Sequence, residues 1–286
     1  MQNILEVKNL SKTYSSFQLK DISFAVPTGS IVGFIGENGA GKTTTIKLIL
    51  NEIRRDSGSV TVFGMDNIKD ERAVKEQMGV VFDESYFHGE FKAADIASIL
   101  KRIYKNWDDT LYKSYLEQFK LPKDKIIKEY SKGMKMKLSI ASALAHKPRL
   151  LILDEATSGL DPIMRSEILD IFWDFIQDDS HSILFSSHIT SDLERIADYV
   201  TFIHEGQIVF DRSKDELVEN MAILKCGASD FQKLDRAGLL RWRRNDLGYE
   251  ALVSDKRSAK RMYPNYVIDN ASIDDIMLLY VKGEKA

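Results

Sequence analysis

Apolar residues fall along this chain in two patterns. Short runs of Ile, Val, Leu and Phe recur: ILEV from Ile4, IVGFI from Ile31, VTVF from Val60, VVF from Val80, LLIL from Leu150, SILFS from Ser182, VTFI from Val200 and QIVF from Gln207. Several are continuous rather than alternating, the pattern of strands covered on both faces. Between them, apolar residues at helical spacing predict helices over 43–51, 93–105, 110–119, 132–145 and 162–178. Strands that alternate with helices predict an α/β layered fold with a mainly parallel sheet and an antiparallel β part at the N-terminal end.

The rhythm breaks twice. From about residue 84 to 147 the pattern is helical throughout, which predicts a helical subdomain inserted into the α/β core. After Asp211 the earlier pattern stops, predicting a core over 1–212 and a small α+β extension over 213–286. The extension carries RWRR from Arg241 and KRSAKR from Lys256, and closes on IDDIMLLYVKG, an amphipathic helix pattern.

Bulk properties narrow the class. A chain of 286 residues with net charge −3 has no electrostatic case for wholesale nucleic-acid binding, and the acids interspersed among its basic clusters mark those clusters as solvated. The single cysteine, Cys226, forms no internal disulfide and fits a reducing compartment. The opening MQNILEVKNLSKTY lacks the charged head and apolar run of a signal peptide. No apolar run approaches the roughly 20 residues of a membrane span. The expectation is a soluble protein that reaches a membrane only through another chain.

The chemistry starts at Gly36. Gly36-Glu37-Asn38-Gly39-Ala40-Gly41-Lys42-Thr43, followed by Thr44, fits G-x-x-x-x-G-K-[ST] directly after the predicted strand IVGFI. Its glycines let backbone N–H groups turn inward on phosphate oxygens. Lys42 supplies a point charge, Thr43 a hydroxyl for Mg²⁺, and the following helix aims its positive end at the anion. A nucleotide-binding loop is the reading. Leu150-Leu151-Ile152-Leu153-Asp154-Glu155 then places two carboxylates at the C-terminal end of a buried strand. Asp154 is the candidate for holding Mg²⁺ through water, and Glu155 the candidate general base for an attacking water.

Taken in order, GENGAGKTT at Gly36, YSKGM at Tyr130, LLILDEAT at Leu150, SGLD at Ser158 and SSH at Ser186 resemble the ATP-binding subunit of an ABC transporter, from the N-terminus to about Asp211. The resemblance implies a P-loop NTPase core and two such domains packed head to tail. Each ATP then lies between the phosphate loop of one copy and the signature of the other. It makes Tyr130, Ser131, Lys132, Gly133 and Met134 that signature, acting in trans. Tyr14 becomes the aromatic that stacks on adenine, Asp161 the residue linking the two sites, and His188 a contact to the γ-phosphate. Lys135 and Lys137 are read as a solvated face.

Two positions depart from the family pattern. Asp83 in VVFDES stands where the family commonly has Gln, exchanging an amide donor for a charge while still able to ligate Mg²⁺. Lys132 replaces the first of two glycines. The signature variant, NWDD at Asn106 and the appended tail are similar to ATPases of small ABC-2-type bacterial export systems, which move drugs, peptides or lipids. The resemblance implies ATP and Mg²⁺ as cofactors, transmembrane permease subunits and a second copy or a related subunit as partners, and a cytoplasmic location on the inner membrane face. Tyr86, Phe87 and Phe91 are read either as the permease contact or as core. A soluble ABC-type ATPase acting on ribosomes or DNA, a weakly hydrolysing regulatory subunit and a P-loop kinase are the competing readings. The kinase has no need of YSKGM or SGLD.

Overall fold

The computed structural model describes residues 2–285. The chain enters through an antiparallel pair, β1 (Asn3–Thr13) and β2 (Gln18–Pro27), then crosses into β3 (Ile31–Ile35), all five residues of which are buried. After α1 (Lys42–Ile49) come β4 (Ser57–Val62) and β5 (Met65–Asp66), which complete a sheet of order β2-β1-β4-β5. Then α2 (Glu71–Glu76) leads into β6 (Met78–Val81).

No strand interrupts the next segment. It holds α3 (Ala93–Ile103), α4 (Asp109–Gln118), a 3₁₀ turn at Ile127–Glu129 and α5 (Lys132–Leu144). Asp108 caps α4 by accepting from Thr110 and Leu111 N–H, so the DD of NWDD is a helix start. The chain returns to the sheet with β7 (Leu150–Asp154), α6 (Pro162–Phe175), β8 (Ser182–Ser187), α7 (Thr190–Ile196), β9 (Tyr199–His204) and β10 (Gln207–Ser213).

The central sheet has the order β10-β9-β3-β8-β7-β6; β9, β3, β8, β7 and β6 run parallel, and β10 closes one edge antiparallel. Successive side chains on β3 divide between two cores, as a two-residue period requires. Val32 and Phe34 pack with α1 and the antiparallel sheet, while Ile31 and Ile35 join the cluster that includes α5, α6 and α7. Both faces are covered, which is why β3, β7 and β8 read as continuous apolar runs.

The remaining elements are α8 (Lys214–Asn220), β11 (Ala222–Cys226), α9 (Ala228–Phe231), β12 (Leu239–Asn245), β13 (Gly248–Val253), α10 (Lys256–Met262), β14 (Val267–Asn270), α11 (Ile273–Lys282) and β15 (Glu284–Lys285). The five strands form an antiparallel sheet of order β14-β11-β13-β12-β15. Ala222, Leu224, Ala251 and Val253 face a satellite core with Phe231 and Tyr263. On the opposite face, Ile223 and Leu252 join the large cluster of the central sheet, together with Ile273, Ile276 and Leu279 of α11. The last helix therefore belongs to the same packing as the central sheet.

Candidate active site

The parallel strands aim their C-terminal ends at one edge, where the loop after β3 meets the ends of β7 and β8. Two glycines of that loop have no substitute. A Cβ on Gly36 would stand 2.4 Å from the Ile203 carbonyl oxygen, and Gly41 has φ +115° with Leu19 and Phe17 against it. Gly39, at φ +85°, has open space where a Cβ would be, and only its backbone conformation calls for glycine. Lys42 is buried; its Nζ donates to the Gly36 carbonyl at 2.7 Å and the Glu37 carbonyl at 3.2 Å. Glu37 Oε1 also lies 3.0 Å from His204 Nδ1, without hydrogen-bond geometry, which brings the loop against the end of β9.

Glu155 stands at the centre. Its Oε1 lies 3.3 Å from Lys42 Nζ, an ion pair without hydrogen-bond geometry, and its Oε2 is 2.5 Å from His188 Nδ1. The Glu155 backbone sits at φ +55°, a left-handed conformation that a side-chain-bearing residue adopts at a cost of about 1–3 kcal/mol. Its N–H is held by the Ser186 carbonyl at 3.0 Å. The strain turns the carboxylate away from the strand axis and toward the phosphate loop.

Asp154 is 4% exposed. Burial pushes its carboxyl above the ordinary 3.8, an effect the Thr43 and Ser186 hydroxyls oppose and the Glu155 and Asp83 charges reinforce. Asp154 Oδ1 and Ser186 Oγ are both buried without a hydrogen-bond partner. Asp83, just past β6, is exposed, yet close enough for its charge to act on Asp154. The structure thus gathers Lys42, Thr43, Asp83, Asp154, Glu155 and His188 at one sheet edge.

Other sequence-selected residues lie elsewhere. Tyr14 is 43% exposed on the turn between β1 and β2, with Lys12 Nζ 5.7 Å from its ring centroid; Phe17 of the same turn is the aromatic that packs on Gly41. Ser131 caps α5 by accepting from Met134 N–H at 3.2 Å. Tyr130 is buried and donates to the Pro122 carbonyl at 2.6 Å, so its side chain anchors the stretch from beneath. Gly133 packs against Met164 of α6. Lys132 reaches Gly159, and with Lys135 it faces Asp83 and Glu84 across a polar cleft. Lys137 departs from the solvated face expected of it: its Nζ pairs with Glu167 of α6 at 2.6 Å and its side chain is largely covered. Asp161 caps α6, accepting from Ile163 and Met164 N–H at 3.1 and 3.0 Å.

Known proteins place this geometry. The family profile described as "ABC transporter" matches residues 19–158. The bacitracin transport ATP-binding protein of Bacillus licheniformis is 35% identical over 237 residues, covering 82% of this chain and 78% of that one. The chain belongs to the ATP-binding subunits of ABC transporters. An ABC transporter ATP-binding protein of Bacillus subtilis is 33% identical, with 76% and 74% covered, and the lantibiotic transport ATP-binding protein of Streptococcus pyogenes 32%, with 74% and 92% covered. A solved ATP-binding subunit of an ABC transporter superposes with a TM-score of 0.68 at 28% identity, covering 75% of this chain and 91% of the other.

As an ABC ATP-binding subunit the protein binds ATP and is an ATPase coupled to transport, and membrane-spanning permease subunits are its partners. Among the described residues no helix is long and apolar enough to cross a membrane. The motif order reveals the phosphate loop and both strand-end carboxylates directly. What it hides are the Lys42–Glu155 pair, the strained Glu155 backbone and the His204–Glu37 pair, all of which depend on residues far apart in the chain.

Proposed function

We propose that this subunit drives export by closing on a second copy, or on a related subunit, around two molecules of Mg-ATP, with Glu155 as general base and His188 as its partner. The observation that carries this reading is Glu155 held between Lys42 and His188 at the mouth of the phosphate loop. Lys42 binds the β- and γ-phosphates and in doing so gives up its contact with Glu155. That carboxylate is then free to take a proton from water, and His188 orients it.

The residues present fit a divalent cation. Asp154 Oδ1 and Ser186 Oγ are unpartnered and buried, and burial disfavours the Asp154 charge, a cost that a bound cation would offset. Thr43, Asp154 and Asp83 would hold Mg²⁺, which supplies charge neutralisation on the phosphates. Phosphate and water oxygens would supply the remaining ligands.

In this reading Tyr14 stacks on adenine, residues 130–134 serve the ATP of the opposite copy, and Asp161 links the two sites. The permease seats in a groove of about 210 Å³ lined by Val80, Phe82, Tyr86, Phe87, Leu100 and Tyr104. Tyr86 is 75% exposed at its rim, whereas Phe87 packs partly into the core. The names of the bacitracin and lantibiotic relatives support a peptide antibiotic as cargo and a cytoplasmic position against the membrane.

The test is the mass of Glu155→Gln in solution by light scattering, with and without Mg-ATP. The reading expects a nucleotide-dependent dimer that disappears when Ser131 is also replaced by Phe. A monomer in every condition, with ATP bound, overturns homodimer closure.

A further inference from the structure

The connections around Glu155 and His188 extend to a residue outside every motif above. Asp192 lies in the first turn of α7, four residues after His188, and is only 3% exposed. It accepts a 2.7 Å hydrogen bond from Thr157 Oγ1, and Thr157 is fully buried two residues after Glu155. Arg165 Nε, on α6 four residues after Asp161, lies 3.9 Å from the same oxygen, Oδ2. The segments that carry Glu155, Asp161 and His188 converge on one carboxylate.

That carboxylate is poorly compensated. Burial pushes its pKa up, opposed first by Thr157 and then by Arg165, Arg195 and His188. Arg165 Nε makes no hydrogen bond of its own, so the 3.9 Å approach is a loose ion pair. An apolar side chain would fill the position without the desolvation cost. What a carboxylate provides instead is a short, directional tie.

The other anchors of α7 act elsewhere. Arg195 binds Asp170 and Ser166 of α6 at 2.6 and 2.9 Å, and Glu194 accepts from Ile273 N–H of α11 at 2.8 Å. Both fix the second turn of the helix, and Thr190 of the first turn reaches Asp274 of α11 at 3.5 Å. Asp192 is the first-turn residue that reaches the turn following Glu155.

We propose that Asp192 is a positioning residue for ATP hydrolysis, which through Thr157 holds α7, and with it His188, in register with Glu155. The proposal rests on the assignment of hydrolysis to Glu155 and His188. A small displacement of one reacting partner costs up to about 100-fold in rate. Loss of the tie therefore acts on turnover and leaves ATP capture by the phosphate loop alone.

The test uses the purified full chain and Mg-ATP. Thr157→Val keeps the shape and removes the donor; Asp192→Ala removes the acceptor; Asp192→Asn retains an oxygen that accepts from Thr157. The expected result is a kcat lower by about 10- to 100-fold in the first two, with KM within about twofold of wild type. Asp192→Asn recovers much of the rate, and the double variant Thr157→Val/Asp192→Ala loses no more than either single one. Wild-type kcat in Thr157→Val overturns the proposal, however Asp192→Ala behaves. His188→Ala is run beside them: wild-type turnover there overturns the underlying assignment and the proposal with it. Loss in His188→Ala with full turnover in Thr157→Val overturns the proposal alone.

Discussion

His188 Nδ1 stands 2.5 Å from Glu155 Oε2, a contact between the ends of two adjacent parallel strands. It forms because β7 and β8 end in step and because the Glu155 backbone turns into the left-handed region. Glutamine at position 155 would preserve that contact and the shape of the site but take no proton. Glu155→Gln is expected to lower kcat by about 10²- to 10⁴-fold, the range of a lost general base, with ATP affinity retained. Single-turnover kinetics beside equilibrium binding check this; turnover close to wild type would remove Glu155 from the reaction.

Lys42 carries the complementary expectation. Its ammonium is covered and satisfied by two loop carbonyls and Glu155, so the site is held ready around a charge that exchanges one oxygen ligand for another. Lys42→Ala removes the phosphate charge and leaves Glu155 without its cation. ATP affinity should fall by at least about 10-fold, as for the loss of one charged hydrogen bond of about 1.5–3 kcal/mol. Titration calorimetry measures it, and unchanged Mg-dependent affinity would refute the phosphate-loop assignment.

The elements that build the site were the most legible in the sequence. The phosphate loop is marked by its glycine and lysine spacing, and the runs at Ile31, Leu150 and Ser182 are buried on both faces, so hydrophobicity alone marks them. β2 carries no clear strand pattern because QLKDISFAVP mixes periods: Asp21 takes φ +48° and the pairing of the strand with β1 shifts register. The strands of the extension were hidden for another reason. RWRR reads as a basic cluster, yet Trp242 packs at a tilt against Phe231 and Tyr249 while Arg243 pairs with Glu250 across the sheet. Partner identity, not local pattern, decides such strands.

Asp154 links stability to pH with a definite sign. Burial raises its pKa in the folded state above the ordinary 3.8, so its contribution is fully present below that value and is lost as pH rises through the folded pKa. At neutral pH the nucleotide-free protein therefore carries a buried charge at a cost. Asp154→Asn should stabilise that state by about 0.5–2 kcal/mol at neutral pH, a gain that shrinks toward about pH 4, while abolishing Mg-dependent hydrolysis. Thermal unfolding without nucleotide at the two pH values tests it. A destabilised variant at neutral pH would mean that Thr43 and Ser186 outweigh the desolvation.

The C-terminal helix makes the extension more than an appendage. Ile276 of α11 is fully buried in the large cluster, and Tyr280 lies 6.0 Å from Phe202 and 5.9 Å from Phe210 between ring centroids. Phe202 belongs to β9, whose last residue, His204, pairs with Glu37 of the phosphate loop. Leu224 is equally buried but faces the satellite core of the extension. Both Ile276→Ala and Leu224→Ala should cost about 2–5 kcal/mol locally, since each leaves a cavity. Their reach should differ. Ile276→Ala is expected to lower amide protection along β9 and weaken ATP binding, because it loosens the helix that holds Tyr280 against Phe202 of β9. Leu224→Ala is expected to loosen β11 and β13 and leave β9 protected. Hydrogen exchange resolved by element distinguishes the two. Equal loss along β9 in both variants would show that the extension unfolds together with the central sheet as one unit.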